Sequence, residues 1–142
     1  MDKSIEIVSL KRTHLAQVIK LMQELSPYQP EVDTLELIWE QLESQKNVIS
    51  VVVLNQDKVL GYGALLLERK VRGGVMGHIE DIVIDPSFQR QGLGKSLVLA
   101  LIDIARSREC YKVGLHCGPH NVAFYEECGL VESGSSMQKI LG

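Results

Sequence analysis

Two glycines one residue apart, Gly92 and Gly94, follow the apolar run Ile82-Val83-Ile84 and lead into a stretch with helical spacing of apolar residues. Lacking Cβ atoms, they let an anion approach the backbone, and the first N–H groups of the helix would point at it with the positive end of the helix dipole behind them. Arg90 and Lys95 bring positive charge to the same turn, and Gln91 and Leu93 lie within it. The pattern suits a pyrophosphate, although a plain tight turn before a helix uses the same residues. Two other phosphate motifs are excluded. Gly94-Lys95-Ser96 imitates the tail of a P-loop, but position 89 is Gln where that motif begins with Gly, and Leu97 breaks a dinucleotide fingerprint.

Further residues carry chemistry. The doublet Glu80-Asp81 interrupts an apolar strand pattern. Neighbouring strand residues point to opposite faces, so one carboxylate is expected to face an interior or a cleft unless the strand lies at an edge. Arg69, Lys70 and Arg72 make the preceding loop basic, suited to a phosphate or simply to solvent. His116 lies at the expected end of a strand, where its imidazole could serve as a base or simply face solvent. Cys117 follows it, but strand neighbours diverge, which argues against a Cys/His nucleophile. His14, His78 and His120 are too scattered for a metal triad, so no metal is expected. Cys110, Cys117 and Cys128 are odd in number and lack CxxC spacing, which points to free thiols.

The string Gln89-Arg90-Gln91-Gly92-Leu93-Gly94 after a strand resembles the acetyl-CoA motif of the GNAT superfamily of N-acetyltransferases. Asn121-Val122-Ala123-Phe124-Tyr125-Glu126-Glu127-Cys128-Gly129 resembles the superfamily's Asn-x-x-x-x-Phe/Tyr-x-x-x-Gly segment. The resemblance implies acetyl-CoA as co-substrate, its phosphates on Arg90, Gln91, Gly92, Leu93, Gly94 and Lys95. It places the pantetheine arm and thioester carbonyl against main-chain N–H groups of Ile82, Val83 and Ile84, with Asn121 and Tyr125 alongside. Tyr125 becomes the general acid toward the departing thiolate; the alternative for this tyrosine is core packing with a wet hydroxyl.

A closer similarity appears in Gly77-His78-Ile79-Glu80-Asp81-Ile82-Val83-Ile84 and Cys110-Tyr111-Lys112-Val113, which look like the glucosamine-6-phosphate N-acetyltransferase family. This implies direct acetyl transfer to the amine of D-glucosamine 6-phosphate for amino-sugar nucleotide synthesis. Glu80 and Asp81 would contact sugar hydroxyls and amine, and Lys70, Arg72, Tyr111 and Lys112 the sugar phosphate. The family is homodimeric, so Tyr111 and Lys112 could act across an interface. At His116 the family commonly carries an acidic residue, and a main-chain carbonyl there is thought to take the amine proton. Two alternatives are a GNAT enzyme for another amine and a non-catalytic CoA-binding module.

The elements that must position these groups follow from periodicity. The chain has 142 residues, a single-domain length, with 15 Lys+Arg against 18 Asp+Glu. That scattered balance suggests neither nucleic acid nor an anionic membrane as partner, and no apolar run approaches a membrane span or a signal peptide, so a cytoplasmic protein is expected. A strand is expected at 6–10, a helix capped by Thr13, a second helix started by Asp33 and Glu36, strands at 48–54, 59–67 and 77–84, a helix at 93–106, a strand at 112–117, a short helix capped by Asn121 and stopped by Gly129, and a last strand at 136–141. The expected fold is mixed α/β, of α+β character. By the resemblance it has a central mixed sheet of about six or seven strands, splayed at its centre, with about four helices.

Overall fold

The computed structural model describes residues 4–142 and, at Val32, the backbone only. Its sheet has five strands in chain order, β1 (Ile5–Ser9), β2 (Val48–Asn55), β3 (Lys58–Arg69), β4 (Val75–Ile84) and β5 (Cys110–Gly114). Adjacent strands from β1 to β4 are antiparallel, and β5 lies parallel to β4. Connection length explains the difference. Short polar turns link β2 to β3 and β3 to β4, whereas the parallel step from β4 to β5 needs a crossover, which α3 (Leu93–Ser107) supplies.

Both faces of the sheet are covered, and β2 shows why. Val51, Val52 and Val53 are all buried, so β-branched residues run on without polar alternation. Val51 and Val53 join Leu60, Leu65, Ile79 and Ile84 beneath Leu93, Leu97, Val98 and Leu101 of α3. Val52 faces the other way, with Val59, Tyr62, Ala64 and Val83, against Val18 and Leu21 of α1 (Leu15–Leu21). A second helix, α2 (Leu35–Glu43), precedes β2, and α4 (Val122–Glu127) follows β5.

Several expectations are corrected. Five strands replace six or seven, and residues 136–141 form none: a strand exists only in a ladder, and here no neighbouring edge pairs with this segment. Val131, Met137, Ile140 and Leu141 are accordingly 81–94% exposed. Thr13 does not cap α1; it lies inside a 3-10 turn, Arg12–His14, where the Lys11 N–H donates to His14 Nδ1 at 3.0 Å. Thr34, not Asp33, occupies the N-cap of α2. The strand placed at 112–117 starts and ends earlier, stopping at Gly114.

Beside β4 an opening is left at the last described strand of the sheet, not between two central strands. Pairing with β5 covers Val75 to His78 on one strand and Cys110 to Gly114 on the other, then stops, while β4 continues six residues to Ile84. No described helix is long and apolar enough to cross a membrane.

Candidate active site

At the open end of β4 the chain turns into α3 through the glycine motif. Gly92 occupies the N-cap with φ +79°, a left-handed conformation that costs other residues a Cβ clash. The first intrahelical bond runs from Ser96 N–H to Gly92 C=O (3.1 Å), and no side chain caps the helix. The N–H groups of Leu93, Gly94 and Lys95 therefore remain as the donors of a helix N-terminus. Arg90, Gln91 and Lys95 are exposed around them. Gln89 Nε2 ties the loop back to Ile84 C=O at 3.2 Å. The absence of a side chain at Gly94 has a separate reason: a Cβ there would lie 3.2 Å from Phe124 Cζ, so α3 and α4 approach closely at this point.

That approach places Tyr125. It is half-buried, and its ring meets Phe124 edge-on, with centroids 4.9 Å apart at 76°. Burial pushes the Tyr125 phenol up, and the neighbouring Cys117 and Cys128 thiols add to the shift, so the proton stays on the oxygen through neutral pH. Asn121 holds the N-cap position of α4, but its side chain makes no capping bond. Across the sheet, Asp85 N–H donates to Leu60 C=O at 2.7 Å. Two-residue periodicity then turns the Val83 N–H toward β3 and the Ile84 N–H toward the gap that β5 leaves open.

The carboxylate doublet departs from simple alternation. Ala64 stands opposite Glu80 and Tyr62 opposite Val83, so Gly63 alone faces both Asp81 and Ile82. This is a β-bulge, with Asp81 at φ +56°. Gly63 permits it, because a Cβ there would lie 2.7 Å from Ile82 Cδ1. Glu80 and Asp81 are both exposed, so neither faces an interior, which leaves the cleft of the two surroundings expected for such a pair.

The basic residues converge further along β4. The β3–β4 turn closes through Lys70 N–H to Gly74 C=O (2.9 Å) and Gly73 N–H to Lys70 C=O (3.0 Å). Arg72 Nη2 donates to Tyr111 Oη at 3.2 Å, and Lys112 Nζ sits 5.8 Å from the Tyr111 ring centroid. The Arg72 bond, with the charges of Arg72, Lys112 and Lys70 behind it, holds the Tyr111 phenol below its ordinary value. Arg72 and Lys112 thus flank one tyrosine.

Glu68 Oε1 takes Lys70 Nζ and His78 Nε2, each at 2.9 Å, and these bonds, Lys70 first, hold its carboxyl below the usual range. Sequence reasoning missed this clamp. The signal was the hairpin count, which sets Leu66 opposite His78 and leaves Glu68 and His78 diagonal on one face.

His116 lies two residues beyond β5 and is exposed. Among the described residues no three His, Cys, Asp or Glu side chains gather as a metal site. Two shallow hollows, of about 350 and 300 Å³, lie beside Leu67 and Arg108 and beside Trp39, Leu42 and Ser50, and neither is lined by a residue of the doublet or the glycine loop.

An uncapped helix start, a strand pair whose ladder stops short and a protonated phenol together suit a thioester carried on a pyrophosphate. The sequence profile of the acetyltransferase (GNAT) family matches residues 17–130. Glucosamine 6-phosphate N-acetyltransferase of Schizosaccharomyces pombe is 47% identical over 94 residues, 65% of this chain and 85% of that protein. The Trypanosoma brucei brucei enzyme of that name is 45% identical over 74 residues, covering 51% of this chain and only 50% of its own length. The crystal structure of glucosamine-6-phosphate N-acetyltransferase from Arabidopsis thaliana superposes with a TM-score of 0.90 at 29% identity, covering 97% of this chain and 99% of that one. With the strand gap, the glycine loop and these relatives in agreement, the chain belongs to the GNAT family of acetyltransferases.

Proposed function

We propose that the protein transfers acetyl from acetyl-CoA to the amine of D-glucosamine 6-phosphate, giving N-acetyl-D-glucosamine 6-phosphate and CoA. The observation that carries this reading is the order of groups along β4: a free amide at Ile84, the bulged carboxylates at Glu80 and Asp81, and the cation cluster facing its start. Glu80 lies four residue steps along β4 from Met76, which stands opposite Lys112, about 13 Å of strand. Long lysine and arginine side chains shorten that reach. The relatives cited above carry the same substrate in their names.

The chemistry is a direct transfer. Loops 90–95 hold the CoA phosphates on the α3 amides, with Arg90 and Lys95 adding charge. Glu80 and Asp81 accept hydrogen bonds from the sugar and orient its amine. The ammonium loses a proton to the His116 side chain, or to solvent while the main-chain carbonyl at His116 accepts a hydrogen bond from the amine; the nitrogen then forms a bond to the thioester carbon as the C–S bond breaks. Charge developing on the carbonyl oxygen meets main-chain N–H groups at the end of β4. The thiolate leaves with the proton of Tyr125, the second amine proton restores the phenol, and the first is released to solvent. The protein acts as a homodimer, in which the exposed Tyr111 and Lys112 of one copy approach the site of the other.

Thiol release from acetyl-CoA tests the acceptor. Fast release with glucosamine 6-phosphate and slow release with glucosamine is the expected result; equal rates overturn the assignment. Lys70→Ala and Arg72→Ala should each raise KM for the phosphorylated sugar about 10-fold, the loss of one charge-assisted contact, without changing the slow rate on glucosamine.

A further inference from the structure

The face of the sheet turned to α1 carries a hydroxyl pair that the transfer chemistry above does not use. Ser50 of β2 stands opposite Ala64, and Ala64 opposite Glu80, so the three form one row across β2, β3 and β4. The next row holds Val52, Tyr62 and Val83. Residues opposite one another share a face, so Tyr62, Ser50 and Glu80 all lie on the α1 side. Tyr62 is only 9% exposed, among Val18, Leu21, Val52, Val59 and Val83. Its hydroxyl reaches diagonally past the Ala64 methyl to Ser50 Oγ at 3.0 Å, and so leaves its own row for the one that ends in Glu80.

Phenylalanine would fill the same apolar space without a polar atom to satisfy. The hydroxyl therefore needs a reason. Two hydroxyls carry two protons, and the bond between them uses one. Among the described residues the pair makes no other hydrogen bond, which leaves one O–H to donate. Burial pushes the Tyr62 phenol up, the Ser50 bond opposes that, and the Asp81 charge adds to it.

We propose that the Ser50–Tyr62 hydroxyl pair is a specificity-determining contact of the acceptor site, donating a hydrogen bond to one hydroxyl oxygen of the sugar bound at Glu80 and Asp81. This rests on the sugar-phosphate reading. Ionised carboxylates only accept, so Glu80 and Asp81 register sugar O–H and N–H donors. The hydroxyl pair contributes a donor on the same face, and with it the site reads a sugar oxygen as an acceptor. An amine without a hydroxyl at that position leaves the donor unpaired, which is the kind of penalty that makes hydrogen-bonding sites selective.

The test uses Tyr62→Phe and Ser50→Ala with glucosamine 6-phosphate and its monodeoxy analogues. Tyr62→Phe should raise KM for glucosamine 6-phosphate about 3- to 10-fold, the value of a neutral hydrogen bond, leaving KM for acetyl-CoA and the melting temperature unchanged. For one monodeoxy analogue, the one lacking the contacted hydroxyl, wild type and Tyr62→Phe should have the same KM, and Ser50→Ala should show the same pattern more weakly. A loss of equal size for every analogue, or one accompanied by weaker acetyl-CoA binding, means the tyrosine only supports the fold and overturns the inference. An active wild type with an unchanged Tyr62→Phe variant overturns it as well. A wild type indifferent to glucosamine 6-phosphate overturns the acceptor reading itself, and this inference with it.

Discussion

Tyr125→Phe is expected to lower kcat by about 10- to 1000-fold, or about 1.4 to 4 kcal/mol of transition-state stabilisation, while acetyl-CoA binds as before. The substitution removes one oxygen and keeps the ring, so the edge-to-face contact with Phe124 and the approach of α4 to Gly94 persist. On the proposed mechanism, what is lost is a proton for the thiolate. Calorimetric titration with CoA separates this from loss of binding, and an unchanged kcat would remove Tyr125 from the mechanism. The pH profile adds a second check. The donor must be protonated, and burial raises its pKa above the ordinary 10.0, so activity dependent on it persists to high pH and is lost only as pH rises through that raised value. An alkaline limb below pH 10 would belong to another group, and the limb due to Tyr125 should vanish in the Phe variant.

Gly92→Val is expected to raise KM for acetyl-CoA about 10-fold or more, with little change in KM for the sugar. At φ +79° a β-branched residue is strained, and the left-handed region costs about 1–2 kcal/mol for an L-residue. Space is not the obstacle, since a Cβ at Gly92 meets nothing within 4 Å. The strain is relieved by letting the turn relax, which withdraws the Leu93, Gly94 and Lys95 amides from their common direction. Circular dichroism should show α3 intact, because Leu93, Leu97, Val98 and Leu101 anchor it in the core. Unchanged acetyl-CoA affinity would mean the phosphates are held elsewhere.

The α3 prediction at 93–106 and the β4 prediction at 77–84 come close to Leu93–Ser107 and Val75–Ile84 because their signals are local. An apolar residue every three or four positions specifies which face a helix buries, whatever it packs on. The same holds for Gly92, whose left-handed conformation and place before the helix are carried by the residues next to it. Where a partner decides, sequence reading fails. Residues 136–141 have strand-forming composition, but a strand needs an edge, and none in the described chain receives it. Thr13 has the right chemistry for a cap, yet His14 Nδ1 takes the Lys11 amide.

The sequence alone determined the mixed α/β order, the glycine turn before α3, the carboxylate doublet on β4 and the tyrosine one turn into α4, since each is written within a few neighbouring residues. Tertiary structure decided how these are aimed. Two-residue alternation sends Glu80 and Asp81 to opposite faces; the bulge that exposes both exists because Gly63, on another strand, lets Ile82 approach. Arg72 meets Tyr111 across 39 residues, and Ser50 meets Tyr62 across β2 and β3. Such contacts depend on strand register, where a shift of one residue turns every side chain to the other face, and register is set by the packed sheet as a whole.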